Sequence, residues 1–195
     1  MRVDWALVTA PTEEPLEVSE ADLEARIDVT DEDPAMASYL SASREDAEEY
    51  LSRGLLTQTW RLTQDGFTDD MWLPRAAPLQ AVSAVEYYNA AGTLQTVPTS
   101  VYDTLTDSEP ARVVLKPNQQ WPVVQANRVG AVRITYVVGW ADPVDIPKSI
   151  VQGIRVLLTA RAERLVGKDW DDAWQTATAC WSKWRVWWQP PCEAS

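Results

Sequence analysis

The sequence predicts an α+β fold: a small helical bundle with an inserted antiparallel β subdomain and a C-terminal Trp-rich helical arm. Three observations carry this expectation. Residues 131–165 read as a buried strand, a corner and a long helix; residues 56–139 are short runs of period-2 alternation broken by turn residues; and six of the eleven tryptophans follow Gly167. The expected divisions are an extended N-terminal arm over 1–17, a helical bundle from 18–55 and 146–166, the β insertion over 56–139, and the helical arm over 167–195.

Taken in order, Pro11 and Pro15 with Thr12, Glu13 and Glu14 between them favour an extended arm, which Trp5 and Leu7 could dock. Ser19 and Asp22 resemble a capping box opening a short helix with Leu23 and Ile27 on its apolar edge, ending near Asp28. Asp33 caps a second helix with Pro34 in its first turn. Its buried stripe is Met36, Tyr39, Leu40, Ala47, Tyr50 and Leu51, and Gly54 closes it. Strands are then expected at 57–63, 71–73, 81–88, 93–97, 101–105 and 112–115. Gly92 supplies positive φ in the hairpin turn 89–92, and a second turn spans 107–110. Pro117, Trp121 and Pro122 make a loop before a last strand that ends at Gly139, in which Val132, Ile134, Tyr136 and Val138 alternate with Arg133 and Thr135. Asp145 caps a third helix with Pro147 in its first turn; Ile150, Ile154, Leu157, Leu158 and Leu165 share one face, and Gly167 stops it.

Composition excludes several function classes. With 17 basic against 29 acidic residues the net charge is −12, which repels phosphate backbones instead of releasing their counterions. No apolar run approaches the ~20 residues of a membrane span, and residues 1–10 have too little apolar length for a signal peptide, so a cytosolic protein is expected. Cys180 and Cys192 are read as free thiols. The chain has no histidine, which removes the commonest general base, the hydrolase triads and the usual zinc ligand sets.

No catalytic constellation emerges. Asp28, Asp31 and Asp33 lack the glycine and glutamate that a calcium loop requires, so helix capping explains them better. Glu45, Asp46, Glu48 and Glu49 read as a solvated helix face, and Asp69-Asp70 as a turn. There is no Gly-rich phosphate loop, GxSxG elbow or CxxC. The expectation is a non-enzyme without cofactor or metal.

The arm offers a sharper signal. Trp170, Trp174, Ala177, Trp181, Trp184 and Trp188 are spaced 4, 3, 4, 3 and 4, which places them on one stripe of a helix starting near Asp169. Asp169, Asp171 and Asp172 sit at its positive end, Lys183 and Arg185 near its negative end. Such a stripe requires a cover. It either folds back on its own domain or docks on a partner; acidic flanks argue against a membrane surface.

The order helix, helix, β insertion, helix, with local sequences at 38–51, Leu55-Leu56-Thr57-Gln58-Thr59-Trp60, 73–79 with Val82-Ser83-Ala84-Val85, and 132–139 with Ile146-Pro147, resembles the head-tail connector proteins (adaptor or head-completion proteins) of long-tailed bacteriophages and gene transfer agents. The resemblance spans residues 17–165. It implies a virion structural protein of the neck, assembled in the host cytoplasm: a homo-oligomeric ring, usually a dodecamer, between the portal protein and the stopper or tail-completion protein. Such a ring extends the channel through which DNA passes, without specific binding, during head completion and genome ejection. On this resemblance the portal-binding residues are expected to be Trp170, Trp174, Trp181, Trp184, Trp187 and Trp188. Asp69, Asp70, Asp107 and Glu109 are expected to line an acidic channel. The alternative is a Trp-rich carbohydrate-binding or other non-catalytic binding module, although Trp60, Trp72 and Trp121 are scattered over separate segments of the sheet region.

Overall fold

The structure, a computed structural model, describes residues 2–17 and 34–187. The expected first helix, the acidic run ending in Asp33, Trp188 and Cys192 fall outside the described residues. The observed fold is α+β, as the sequence predicts: eight strands in two antiparallel sheets, and three α-helices among the described residues. Contacts divide the chain into a β unit (residues up to Pro11, Thr57–Gly139 and from Val186 on) and a helical unit (Thr12–Leu56 and Trp140–Arg185).

In the β unit, β1 (Val3–Thr9), β2 (Gln58–Gln64), β4 (Leu79–Tyr88), β5 (Leu94–Thr96) and β8 (Val132–Val138) form one sheet in the order β1-β2-β8-β4-β5. A second sheet, β3-β7-β6, is built from β3 (Asp70–Trp72), β6 (Tyr102–Leu105) and β7 (Arg112–Leu115). The strict alternation of β8 explains its central place. Val132, Ile134, Tyr136 and Val138 are fully buried while Arg133, Thr135 and Val137 are not, so one face joins a core with Leu62, Met71, Val85 and Val113. The Tyr136 hydroxyl donates to the Pro74 carbonyl at 2.8 Å, satisfying the one polar atom this side chain buries, and burial pushes its pKa up. Gly92 takes φ +77° in the β4–β5 hairpin, as expected, and the Asn89 side chain accepts from the Ala91 and Thr93 amides at 3.0 Å.

The stretch expected as an extended arm contains β1. Its alternation of Val3, Trp5 and Leu7 with Asp4 and Ala6 is a strand pattern in its own right, and it pairs antiparallel with β2 from Val3↔Gln64 to Leu7↔Trp60. Asp65 fastens its start, accepting from the Arg2 amide at 2.8 Å and the Gly130 amide at 3.0 Å. These two bonds hold the carboxyl below the ordinary aspartate value.

In the helical unit, α1 (Pro34–Leu51), α2 (Lys148–Ala162) and α3 (Lys168–Trp181) pack around Met36, Leu40, Leu51, Ile150, Ile154, Leu157 and Trp181. Several expected helix signals are displaced. Gly54 and Gly167 do not stop the helices; Ser52 (φ +53°) and Arg164 (φ +56°) do, with the Arg53 amide returning to the Glu48 carbonyl and the Leu165 amide to the Ala160 carbonyl. Leu165 therefore lies beyond α2. Asp145 caps nothing in α2: Asp142 caps a 3₁₀ turn at Pro143–Asp145, accepting from the Val144 amide at 2.9 Å, and Pro147 itself is the N-cap residue. Both differences arise because a tertiary corner fixes the backbone where local propensity alone would choose another residue.

Candidate functional site

The tryptophan stripe is the sequence feature that calls for a partner, and the helical unit supplies one. The α3 helix runs Lys168–Trp181 and gives way to a 3₁₀ turn at Ser182–Trp184, after which the chain is extended at Arg185. A single helix through position 188 was expected; the stripe instead ends as a regular helix at Trp181. That residue is 0% exposed, and its indole N–H donates to the Ile150 carbonyl of α2 at 3.0 Å. Gly153, one turn along α2, makes room: a Cβ there would overlap the indole ring. Trp174 meets Trp181 edge to face with centroids 6.2 Å apart, Tyr50 of α1 lies 5.8 Å away, and Ala177 is fully buried.

Trp184 is half-buried and donates to the Ser149 hydroxyl at 2.9 Å, while its carbonyl accepts from the buried Arg53 guanidinium. Trp170 lies under Arg161, whose guanidinium carbon is 5.0 Å from the ring centroid. The expectation that the whole stripe anchors on a partner is therefore corrected for Trp181, which this unit already buries, and narrowed for Trp170, Trp174 and Trp184, which pack partly against the same core. Trp187 is different, at 76% exposed.

The solvated acidic face expected on α1 is also corrected in part. Glu45 and Glu49 are exposed, but Glu48 is buried: one carboxylate oxygen accepts from Arg44 at 3.0 Å and the other from the Leu55 amide at 2.8 Å. Arg44 reaches Glu14 as well, at 2.9 Å, and Asp46 pairs with Arg161, which also donates to Ser43. This network links α1, the segment before it and α2. A helical wheel carries no sign of it, since Arg44 and Glu48 look like an ordinary exposed i, i+4 pair.

The four acidic residues of the β turns do not form one cluster. Asp69 and Asp70 stand at the start of β3, whereas Asp107 and Glu109 lie in the β6–β7 turn, at the far end of the small sheet. Asp70 pairs with Arg112 at 2.7 Å, so its charge is largely compensated; Asp69, Asp107 and Glu109 are exposed. The sheet-region tryptophans have occupied faces: Arg75 lies over Trp60, Arg112 over Trp72, and Phe67 stacks on Trp121 at 4.6 Å with a 1° interplanar angle. No group of three or more metal-ligating side chains gathers among the described residues. No described helix is long and apolar enough to cross a membrane.

The α+β arrangement so described, a helical unit interrupted by a β insertion, defines a class by fold. It is shared, over nearly the whole chain, with proteins of gene transfer agent (GTA) particles. A chain in the neck of an empty GTA particle computed with C6 symmetry superposes with a TM-score of 0.76 at 21% identity, covering 98% of this chain and 98% of that one. A chain in the neck of a native GTA particle computed with C12 symmetry gives 0.74 at 22% identity, again with 98% of both chains covered. A chain in the virion of a native GTA particle gives 0.73 at 22%, covering 96% and 97%. At such identities the likeness establishes the fold, which is the one the sequence resemblance implies. No protein-family model matches the sequence, and no curated protein matches it.

Proposed function

We propose that this chain is a structural subunit of the neck of a phage-like particle, a ring-forming adaptor between portal and stopper through which DNA passes. One observation carries the reading: the fold matches, end to end, chains that occupy particle necks computed with C6 and C12 symmetry. Coverage near 98% of both chains means that the helical unit, the β insertion and the C-terminal helix all take part in the likeness. Within this reading the ring holds twelve copies, and the portal contact falls on Trp187 and the residues after it, since Trp181 is spent inside the subunit. Asp69, Asp107 and Glu109 face the channel and repel DNA phosphates within a Debye length of ~8 to 10 Å.

The test is electron microscopy of the chain assembled on its portal, with Trp187→Ala beside the wild type. A twelve-fold ring is expected, together with a variant that folds normally but no longer attaches. A ring of other symmetry, absence of portal binding, a basic channel wall, or wild-type attachment by Trp187→Ala would each overturn the corresponding part.

A further inference from the structure

Two stretches of the β unit carry almost no charge. Residues 87–102 contain no charged side chain and residues 117–130 contain only Arg128, in a chain that is 24% charged. The fold joins them into one surface on the β5 side of the five-stranded sheet. The Gln125 amide donates to the Tyr88 carbonyl at 2.8 Å, and the Lys116 amide donates to the Val101 carbonyl at 3.0 Å. The Gln125 side chain lies against Gly92, where a Cβ would come within 3.3 Å of it. Even Arg128 is occupied within the surface: its guanidinium lies 3.4 Å from the Tyr88 ring centroid and donates to Gln125 at 3.0 Å. The connection between β7 and β8, residues 116–131, has no helix or strand of its own, a length at which ordered loops are usually functional. It is held in place. Trp121 stacks on Phe67 and Tyr102, and Asn118 and Asn127 take φ of +62° and +58° at its turns. So fixed, it displays Val123 at 79% exposure and Val129 at 71%, while β5 beside it displays Leu94 at 38%. Nine residues of the first stretch and eight of the second are exposed, close to the ~20 to 30 a side of a specific interface.

We propose that this uncharged surface is where each copy of the chain abuts the next copy of the ring, an inference that rests on the neck reading. Every copy carries a net charge of −12, so two copies that approach through ordinary surface repel each other within a Debye length. A face without acidic residues removes that repulsion, whichever part of the neighbour it meets. It also spares the contact the cost of burying an unpaired charge. The exposed amides of Asn118, Gln119, Gln120 and Asn127 both donate and accept, so they satisfy polar groups of either kind around the valines. Other occupants fit worse. One stacked arginine neutralises no run of DNA phosphates, and the surface has neither the basic face nor the apolar stripe that holds a membrane. The mate on the neighbouring copy is a different surface, because a patch that meets its own equivalent closes at two copies, whereas a ring needs a heterologous contact.

The test replaces Val123 or Val129 with the photo-crosslinker p-benzoylphenylalanine, assembles the full chain on its portal and irradiates it. Each position should link one copy of this chain to another, which the mass of the product identifies. Links only to the portal, to the stopper or to DNA would overturn the proposal. Val123→Glu and Val129→Glu place a carboxylate on the surface, and each should raise the chain concentration that completes the ring about tenfold, with circular dichroism showing that the variants fold. Val166→Glu, at a valine of the helical unit that is also 79% exposed, should change that concentration by about twofold or less. Rings that complete as readily with Val123→Glu and Val129→Glu as with the wild type, or an equal loss with Val166→Glu, would also overturn it. A wild-type chain that forms no ring refutes the neck reading and this inference with it, whereas wild-type rings without links between copies refute this inference alone.

Discussion

In the β unit, Leu62, Met71, Leu73, Val85, Val113, Val132, Ile134 and Val138 pack together, and the polar groups buried with them carry no charge: the amides of Gln58 and Gln64, and a Tyr136 hydroxyl that a single carbonyl satisfies. The helical unit buries Ser43, Arg44, Glu48 and Arg53 beside its leucines, and seats a tryptophan in a notch that only glycine leaves open. Charge divides the same way. The stretches 12–56 and 140–185 contain 20 acidic and 10 basic residues, the rest of the chain 9 and 7, so −10 of the −12 net charge belongs to the helical unit. The difference teaches where each unit is vulnerable. Alternation fixes a register redundantly over many residues, whereas a glycine notch and a buried ion pair each depend on one or two side chains.

That contrast is best broken at Trp181. Trp181→Ala removes the largest fully buried side chain and an indole hydrogen bond, and should cost about 3 to 5 kcal/mol in chemical denaturation. Amide exchange should rise in α2 and α3 and stay unchanged in β8; equal loss in both units would show that their stabilities are not separate. Glu48→Gln should follow at about 3 kcal/mol, since it leaves Arg44 buried with a weakened partner. A loss below ~1 kcal/mol, as for an exposed pair, would place this carboxylate in solvent after all. Gly153→Ala adds one methyl group yet forces the indole aside, and should cost roughly 2 kcal/mol by thermal melting.

The smallest effect lies in the β unit. Asp65 is held below the ordinary aspartate value of 3.8 by two backbone amides, so its contribution is fully present above that value and is lost as pH falls through the depressed folded value. Amide exchange at Arg2 and Gly130, corrected for intrinsic rates, should show full protection at pH 5 and loss only in strong acid. Loss of protection between pH 7 and 5 would contradict this fastening.

How much of this was legible follows from the range of each cause. The β8 strand, the 89–92 hairpin and the α1 span could be read from the sequence, because their signals are periodicities and turn residues that act over a few positions. The β1 strand was legible too: Val3, Trp5 and Leu7 alternate, but Pro11, Pro15 and the acidic pair between them pointed to an arm. The burial of Glu48 was not legible, because its second partner, the Leu55 amide, follows only once the chain turns back after Ser52.

The sequence by itself determined the α+β class, the order of the elements from α1 to α3 and the presence of a tryptophan stripe on the last helix, since all three depend on local pattern and composition. Only the tertiary structure decided what that stripe covers. Its cover is a missing side chain on another helix: Gly153 leaves the space, Ile150 presents the carbonyl, and Trp181 fills both requirements from 31 residues away. Spacing within one segment fixes which face is apolar, and steric complementarity between segments, a property of three-dimensional packing, fixes where that face goes.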